Sequence, residues 1–203
     1  MKRRSSPAKS QQSGQFRIIG GLHRGRKLSF PAIENLRPTP DRVRETLFNW
    51  LFDDVINARC LDLCAGSGAL GLEALSRGAQ HCMFIEANGD ASKSISEHLQ
   101  TLEAIGSRVQ LGQLPQSLHQ LANEEAFNLI FLDPPYKLDI INECIALLDE
   151  LDLIASDAWL YIENASNDPA PILADSDRSI FRLHREKSFG QVRASLFQYQ
   201  QLS

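Results

Sequence analysis

The chain of 203 residues lacks any long hydrophobic run. Its apolar residues, 43% of the total, suffice for a core. They nowhere approach the roughly 18 in succession that a membrane span requires. A secretory leader is missing as well. The first fifteen residues, MKRRSSPAKSQQSGQ, are basic and polar and no apolar segment follows, so they read as a disordered arm. Cysteine is sparse. The four, Cys60, Cys64, Cys82 and Cys144, form no C-x-x-C pair and have no histidine pair nearby. That argues against a metal site and for reduced, buried thiols in a cytoplasmic protein. There is no internal repeat and no obvious histidine–carboxylate pair for base catalysis.

What is present is an uneven charge. Residues 1–44 hold 11 Lys and Arg against 2 Asp and Glu, a local +9, whereas the rest holds 10 against 23, or -13, giving the net -4. A basic N-terminal segment on an acidic body points to a polyanion gripped at one end. A solvated tail without a partner is the alternative, weakened because the basic residues continue into patterned sequence.

Phe16 to Pro31 reads as a basic β-ribbon with Arg24, Arg26 and Lys27 at its exposed end. A helix follows, with Thr39 as its expected N-cap and Pro40 at its first position. Val43, Leu47, Trp50 and Leu51 define its apolar face, with Arg42 and Arg44 off that face. From residue 59 strands and helices alternate. Strands are expected at "RCLDLC", "HCMFIEA", "RVQLG", "FNLIFLD" and "AWLYIE", and helices at 70–77, 90–105 and 139–151. Such alternation predicts a doubly wound parallel sheet. "SIFRLHREK" and "QVRASLFQYQ" leave no room for a helix between them, so they predict a closing antiparallel hairpin and seven strands in all.

"LDLCAGSGALG" carries Gly66, Gly68 and Gly71 in G-x-G-x-x-G spacing after a strand, with Glu86 at the end of the next strand. That combination suits a nucleotide pocket, with an acid for ribose hydroxyls. Two cofactors meet the pattern. NAD would seat a pyrophosphate on the helix N-terminus. S-adenosylmethionine has no phosphate, and Asp62 favours it as an acceptor for an α-ammonium group that NAD lacks. "FLDPPYK", residues 131–137, ends the fourth strand, where open sheets bind ligands. A rigid turn is the bland reading of its two prolines.

These residues carry a family resemblance. D-x-x-x-G-x-G at 62–68, Glu86, D-P-P-Y at 133–136 and the closing hairpin resemble class I S-adenosylmethionine-dependent methyltransferases that act on amino groups. "RIIGG" and "RGRKL", "RPTPDRVRETLFN", "LDLCAGSGALGLEALSRGA", "IE" at 162–163 and "LHREKSFGQV" narrow it to the RsmD family. Those are bacterial enzymes that methylate the N2 of a guanine in 16S rRNA. The resemblance runs from about Phe16 to Tyr199. It implies an α/β, Rossmann-like class I methyltransferase fold at 55–203. A small β-ribbon and helix extension precedes it at 16–54, after the arm at 1–15. It implies a cytoplasmic monomer acting on 16S rRNA in an assembling or assembled small subunit, as part of ribosome biogenesis.

By the same resemblance, S-adenosylmethionine is held by Asp62, Ala65, Gly66, Gly68, Glu86, Gln113, Leu114 and Asp133, with Arg37 and Thr39 closing over cofactor and substrate. Related enzymes often have Asp or Asn where Gln113 stands. Gln113 is either an adenine contact or a plain loop residue. Arg37 and Thr39 are alternatively a surface arginine and a helix cap. Arg24, Arg26, Lys27, Arg42, Lys137, His184, Arg185 and Lys187 are RNA-binding candidates, the last three alternatively a solvated strand face. Asp133, Pro134 and Tyr136 are the catalytic candidates. A guanine N2 is a weak nucleophile because its lone pair delocalises into the ring. The Asp133 carboxylate and Pro134 carbonyl can accept its two N–H bonds and free that pair. A residue before proline is held extended and proline fixes its own φ, so the carbonyl is aimed in advance. Tyr136 would stack on the flipped base. Rival functions are an adenine-N6 methyltransferase, an NAD-dependent oxidoreductase and a non-catalytic RNA-binding module.

Overall fold

The computed structural model describes residues 13–34, 36–134, 140–169, 173 and 179–202. Strands β1 (Gly14–Arg17) and β2 (Lys27–Phe30) pair antiparallel, with Phe16 opposite Leu28. Their alternation is clean. Phe16, Leu28 and Phe30 are buried, whereas Gln15, Arg17, Lys27 and Ser29 are exposed, as a ribbon lying on a core requires. Arg24 and Arg26 are exposed in the turn, as expected.

Helix α1 (Asp41–Leu51) buries Val43, Leu47, Phe48 and Leu51. Two expectations fail here. Thr39 is not the cap: Pro40 occupies the N-cap position without a side-chain cap, and the Thr39 hydroxyl is turned elsewhere. Arg44 does not lie off the buried face, because its side chain is fully enclosed. Trp50, placed on that face by periodicity, is half-buried and packs against the core, and Phe48 is buried in the same core.

The remaining elements follow the expected alternation. In order they are β3 (Arg59–Leu63), α2 (Ala69–Ser76), β4 (His81–Glu86), α3 (Gly89–Thr101) and β5 (Arg108–Leu111). Then come β6 (Phe127–Leu132), α4 (Ile141–Glu150), β7 (Ile154–Ala165), β8 (Ser179–Phe189) and β9 (Val192–Gln201). Short 3-10 turns at Phe52–Val55 and Gln116–Leu121 were not foreseen. The seven strands run β5-β4-β3-β6-β7-β9-β8, parallel as far as β7 and antiparallel in the closing pair. The chain winds outward from β3 in one direction and from β6 in the other. The boundary between β3 and β6 is therefore the switch point at which open sheets bind ligands.

Both faces of the sheet are covered. One is packed by α1, α2, α3 and the ribbon, with Phe48, Leu72, Phe84, Phe131 and Tyr161 at its centre. The Phe131 ring lies 6.2 Å from Phe48 and 6.3 Å from Tyr161. The other face holds Ile130, Leu132, Ile145, Leu148 and Leu160. Burial on both sides explains the continuous apolar run of β6. No helix among the described residues is long and apolar enough to cross a membrane.

Candidate active site

The glycine loop leaves β3 at the switch point. Gly66 and Gly68 have φ of 56° and 75°, a region that side-chain-bearing residues seldom enter. Gly71 serves packing: a Cβ there would stand 2.3 Å from the Phe84 ring, so α2 can lie this close to β4 only with glycine. Two carboxylates fix the loop. Asp62 Oδ2 accepts the Gly71 N–H at 2.9 Å. Glu86 Oε2 accepts the Gly66 N–H at 2.6 Å and its Oε1 the Asn88 N–H at 2.7 Å. Ala65 continues the ladder, donating to Ile85 O at 3.0 Å. Beyond β5, Gly112 donates to Glu86 O at 2.9 Å, which brings Gln113 and Leu114 beside the same loop. Gln113 is exposed and Leu114 half-buried.

Asp133 follows β6, one residue past the Leu132–Ile162 pair, next to Glu163 on β7. The Thr39 hydroxyl donates to Asp133 Oδ2 at 3.4 Å. Burial pushes the Asp133 carboxyl up to about 6, and the Thr39 hydrogen bond opposes that rise. Glu163 is buried and receives the Tyr161 hydroxyl at 2.9 Å; burial and then the Asp133 charge push it well above the carboxylate range. Asp62 is likewise raised by burial, and further by Asp133 and Glu86. Pro134 is buried behind Asp133. Tyr136 and Lys137 lie outside the described residues. Leu36 packs over the loop, 3.3 Å from where a Gly66 Cβ would stand. Exposed Arg37 therefore falls between the Leu36 contact and the Thr39 contact.

The electrostatics discriminate between the two cofactors. Asp62, Glu86 and Asp133 converge on one loop, and after burial the charges of Asp133 and Glu86 make Asp62 harder to ionise. A cationic ligand relieves that repulsion; an anionic pyrophosphate aggravates it. The Gly71 N–H, which a phosphate would use, is already taken by Asp62. The residues present therefore fit S-adenosylmethionine, with its ammonium and sulfonium charges, and do not fit NAD.

A buried ion pair escaped sequence reading. Glu73 on α2 is fully enclosed and accepts four hydrogen bonds: Ile19 N at 2.9 Å, Gly20 N at 2.8 Å, Arg44 Nη1 at 3.0 Å and Arg77 Nε at 2.8 Å. Arg44 also donates to Thr39 O at 3.1 Å, Arg17 O at 2.8 Å and Asp41 Oδ1 at 2.6 Å. Arg44 was expected off the buried face of α1, and Glu73 drew no expectation. The cysteines behave as expected: Cys60, Cys82 and Cys144 are buried, Cys64 is half-buried, and burial pushes all four thiols up.

The basic candidates divide by position. Arg42 and Lys187 both lie over the Phe189 ring, at 5.3 and 5.2 Å, where the closing hairpin meets α1. Lys187 sits in the row Glu163–Ala194–Lys187, three strand spacings or about 14 Å from Asp133. His184 is the extra residue of a bulge further back along β8, its ring 4.9 Å from Trp159. Arg185 is exposed beside it. Arg26 donates to Thr101 O at 2.9 Å, so it ties the ribbon to the end of α3. Arg24 and Lys27 are exposed.

The chain matches, over residues 16–198, a family model described as Conserved hypothetical protein 95. It is 44% identical over 186 residues to the ribosomal RNA small subunit methyltransferase D of Escherichia coli strain K12, covering 92% of this chain and 91% of that protein. Identity to the protein of the same name from Haemophilus influenzae is 39% over 189 residues, covering 91% and 94%. A solved structure of Escherichia coli yhhF superimposes with a TM-score of 0.80 at 43% identity, covering 93% of this chain and all of that one (100%).

Proposed function

The chain belongs to the RsmD family, and on that premise we propose that it transfers a methyl group from S-adenosylmethionine to the exocyclic N2 of a guanine in 16S rRNA. The observation that supports this most is the placement of Asp133 at the switch point, one strand from the glycine loop and hydrogen-bonded by Thr39. Residues 55–203 are the catalytic unit and 16–54 the extension that presents Thr39 and the basic ribbon. The enzyme acts as a cytoplasmic monomer on rRNA within the small subunit.

Asp62, Ala65, Gly66, Gly68 and Glu86 hold the cofactor, with Gln113 and Leu114 at its adenine end. When bound, S-adenosylmethionine supplies a sulfonium methyl group open to in-line displacement. Asp133 in its ionised form accepts one N–H of the guanine amino group, and the Pro134 carbonyl accepts the other. The lone pair is thereby localised on nitrogen as the N–C bond forms and the S–C bond breaks. The methylated nitrogen becomes acidic, and its proton passes to an Asp133 carboxylate oxygen. No stronger base is needed. Arg42 and Lys187 bind phosphates at the rim, and Arg24, Lys27 and Arg185 extend that basic surface.

Labelled methyl transfer to naked 16S rRNA, assembled small subunits and DNA, read by nucleoside mass spectrometry, tests this. N2-methylguanosine in RNA is the expected product, and N6-methyladenine overturns the reading. Asp133→Ala should lower the rate by about 10²-fold or more. A near-wild-type rate removes Asp133 from the mechanism.

A further inference from the structure

Thr39 stands between two prolines, Pro38 and Pro40. Proline fixes its own φ and holds the preceding residue extended, so this tripeptide has little freedom of its own. Its hydroxyl direction is then set by whatever anchors its backbone. That anchor is Arg44, whose Nε donates to Thr39 O at 3.1 Å.

Arg44 spends its other donors on three further segments. They reach Glu73 on α2, Arg17 at the end of β1 and Asp41 at the start of α1. A guanidinium offers five N–H donors in a rigid planar fork, so satisfying several partners fixes the orientation of the remaining one. The Arg44 and Glu73 side chains are both 0% exposed. Glu73 in turn belongs to the helix that follows the glycine loop. A fork clamped on α2 thus holds the backbone of the residue whose hydroxyl meets Asp133.

We propose that Arg44 is a positioning residue for methyl transfer: clamped by Glu73, it fixes Thr39 so that the Thr39 hydroxyl stays on Asp133 Oδ2. This rests on the reading of Asp133 as the acceptor for the substrate amino group. Asp62 and Cys64 from β3 and its loop, and Glu163 from β7, also face Asp133. Each of these becomes harder to ionise beside Asp133, so none favours its charge. Among the described residues Thr39 alone donates to that carboxylate, and the same hydroxyl also favours the charge of Glu163, which burial holds well above the carboxylate range. Losing this hydrogen bond, directly or through Arg44, moves the acid limb of the rate profile upward.

The test uses the full chain, a transcribed 16S rRNA fragment and labelled S-adenosylmethionine, with initial rates across pH and a melting curve for each variant. Thr39→Val should raise the acid limb by about half to one pH unit. Thr39→Ser should restore it. Arg44→Lys keeps a cation opposite Glu73 but cannot hold the fork, so it should shift the limb in the same direction. It should lower kcat more than it raises KM, and combined with Thr39→Val it should add no further shift. Glu73→Gln, which keeps an acceptor for Arg44, should give a smaller shift of the same sign and serves if Arg44→Lys does not fold. The proposal is overturned if Arg44→Lys, or Glu73→Gln in its place, melts earlier yet keeps the wild-type limb. A shift that adds to that of Thr39→Val overturns it too. Failure of the wild type to methylate any RNA would instead remove the proposed function.

Discussion

Glu73→Ala should be severely destabilising, and the size follows from its surroundings. The carboxylate is fully enclosed, faces an equally enclosed Arg44 and accepts two backbone amides of the N-terminal segment. Removing one partner of a buried pair costs about 3–5 kcal/mol, and among the described residues Arg44 would keep only the half-exposed Asp41 as a countercharge. The orphaned amides of Ile19 and Gly20 push in the same direction. Total stability for a domain is about 5–15 kcal/mol, so this is a large share of it. At about 2–4 °C per kcal/mol for a chain of this size, the melting temperature should fall by about 6–20 °C. Urea unfolding followed by circular dichroism, compared at constant m-value, measures the loss. Adding Arg44→Met to Glu73→Ala should recover part of it, because the stranded cation goes as well. A loss below about 1 kcal/mol, or a double variant less stable than Glu73→Ala alone, refutes the reasoning.

Four further outcomes are expected. Asp133 must be ionised to accept the substrate N–H and burial raises its carboxyl to about 6, so the initial rate should fall about tenfold per pH unit below that value and level off above it. A raised carboxyl contributes stability at low pH that is lost as pH rises through about 6; urea titration at pH 8 should therefore find Asp133→Asn more stable than wild type, by up to about 3 kcal/mol, though inactive. Arg42→Ala and Lys187→Ala should weaken RNA binding and each reduce the log–log salt slope by about 0.7–0.9, with cofactor affinity unchanged in calorimetry. Gly71→Ala should destabilise by about 1–3 kcal/mol in urea, since its Cβ would stand 2.3 Å from the Phe84 ring and 2.6 Å from Cys82 Sγ.

The parallel sheet was legible because each buried strand announces itself as a short apolar run and the helices after β3 and β4 are followed by Gly78 and Gly106. The positions of Gly66, Gly68 and Glu86 were legible because spacing along one chain maps onto a strand–loop–helix–strand unit, and that of Asp133 because it closes an apolar run. Arg44 and Glu73 were not. Periodicity of one helix assigns a charge to the solvent side, and it carries no information about a countercharge arriving from another segment. Arg44 adjoins Val43 and Glu73 sits in "ALGLEALS", yet each is enclosed because the other is there. Thr39 misled for a related reason. A threonine before a helix is a good cap by local rules, but a carboxylate 94 residues away took its hydroxyl instead.

The two links of this clamp differ in reach. Arg44 and Glu73 are 29 residues apart, so their pairing closes a short loop of chain at modest entropic cost. Thr39 and Asp133 are 94 residues apart and meet only across β6, a strand in the middle of the sheet. The acceptor carboxylate therefore has its hydroxyl partner only in a chain whose sheet is whole, and a loss of sheet order removes that contact together with the fold.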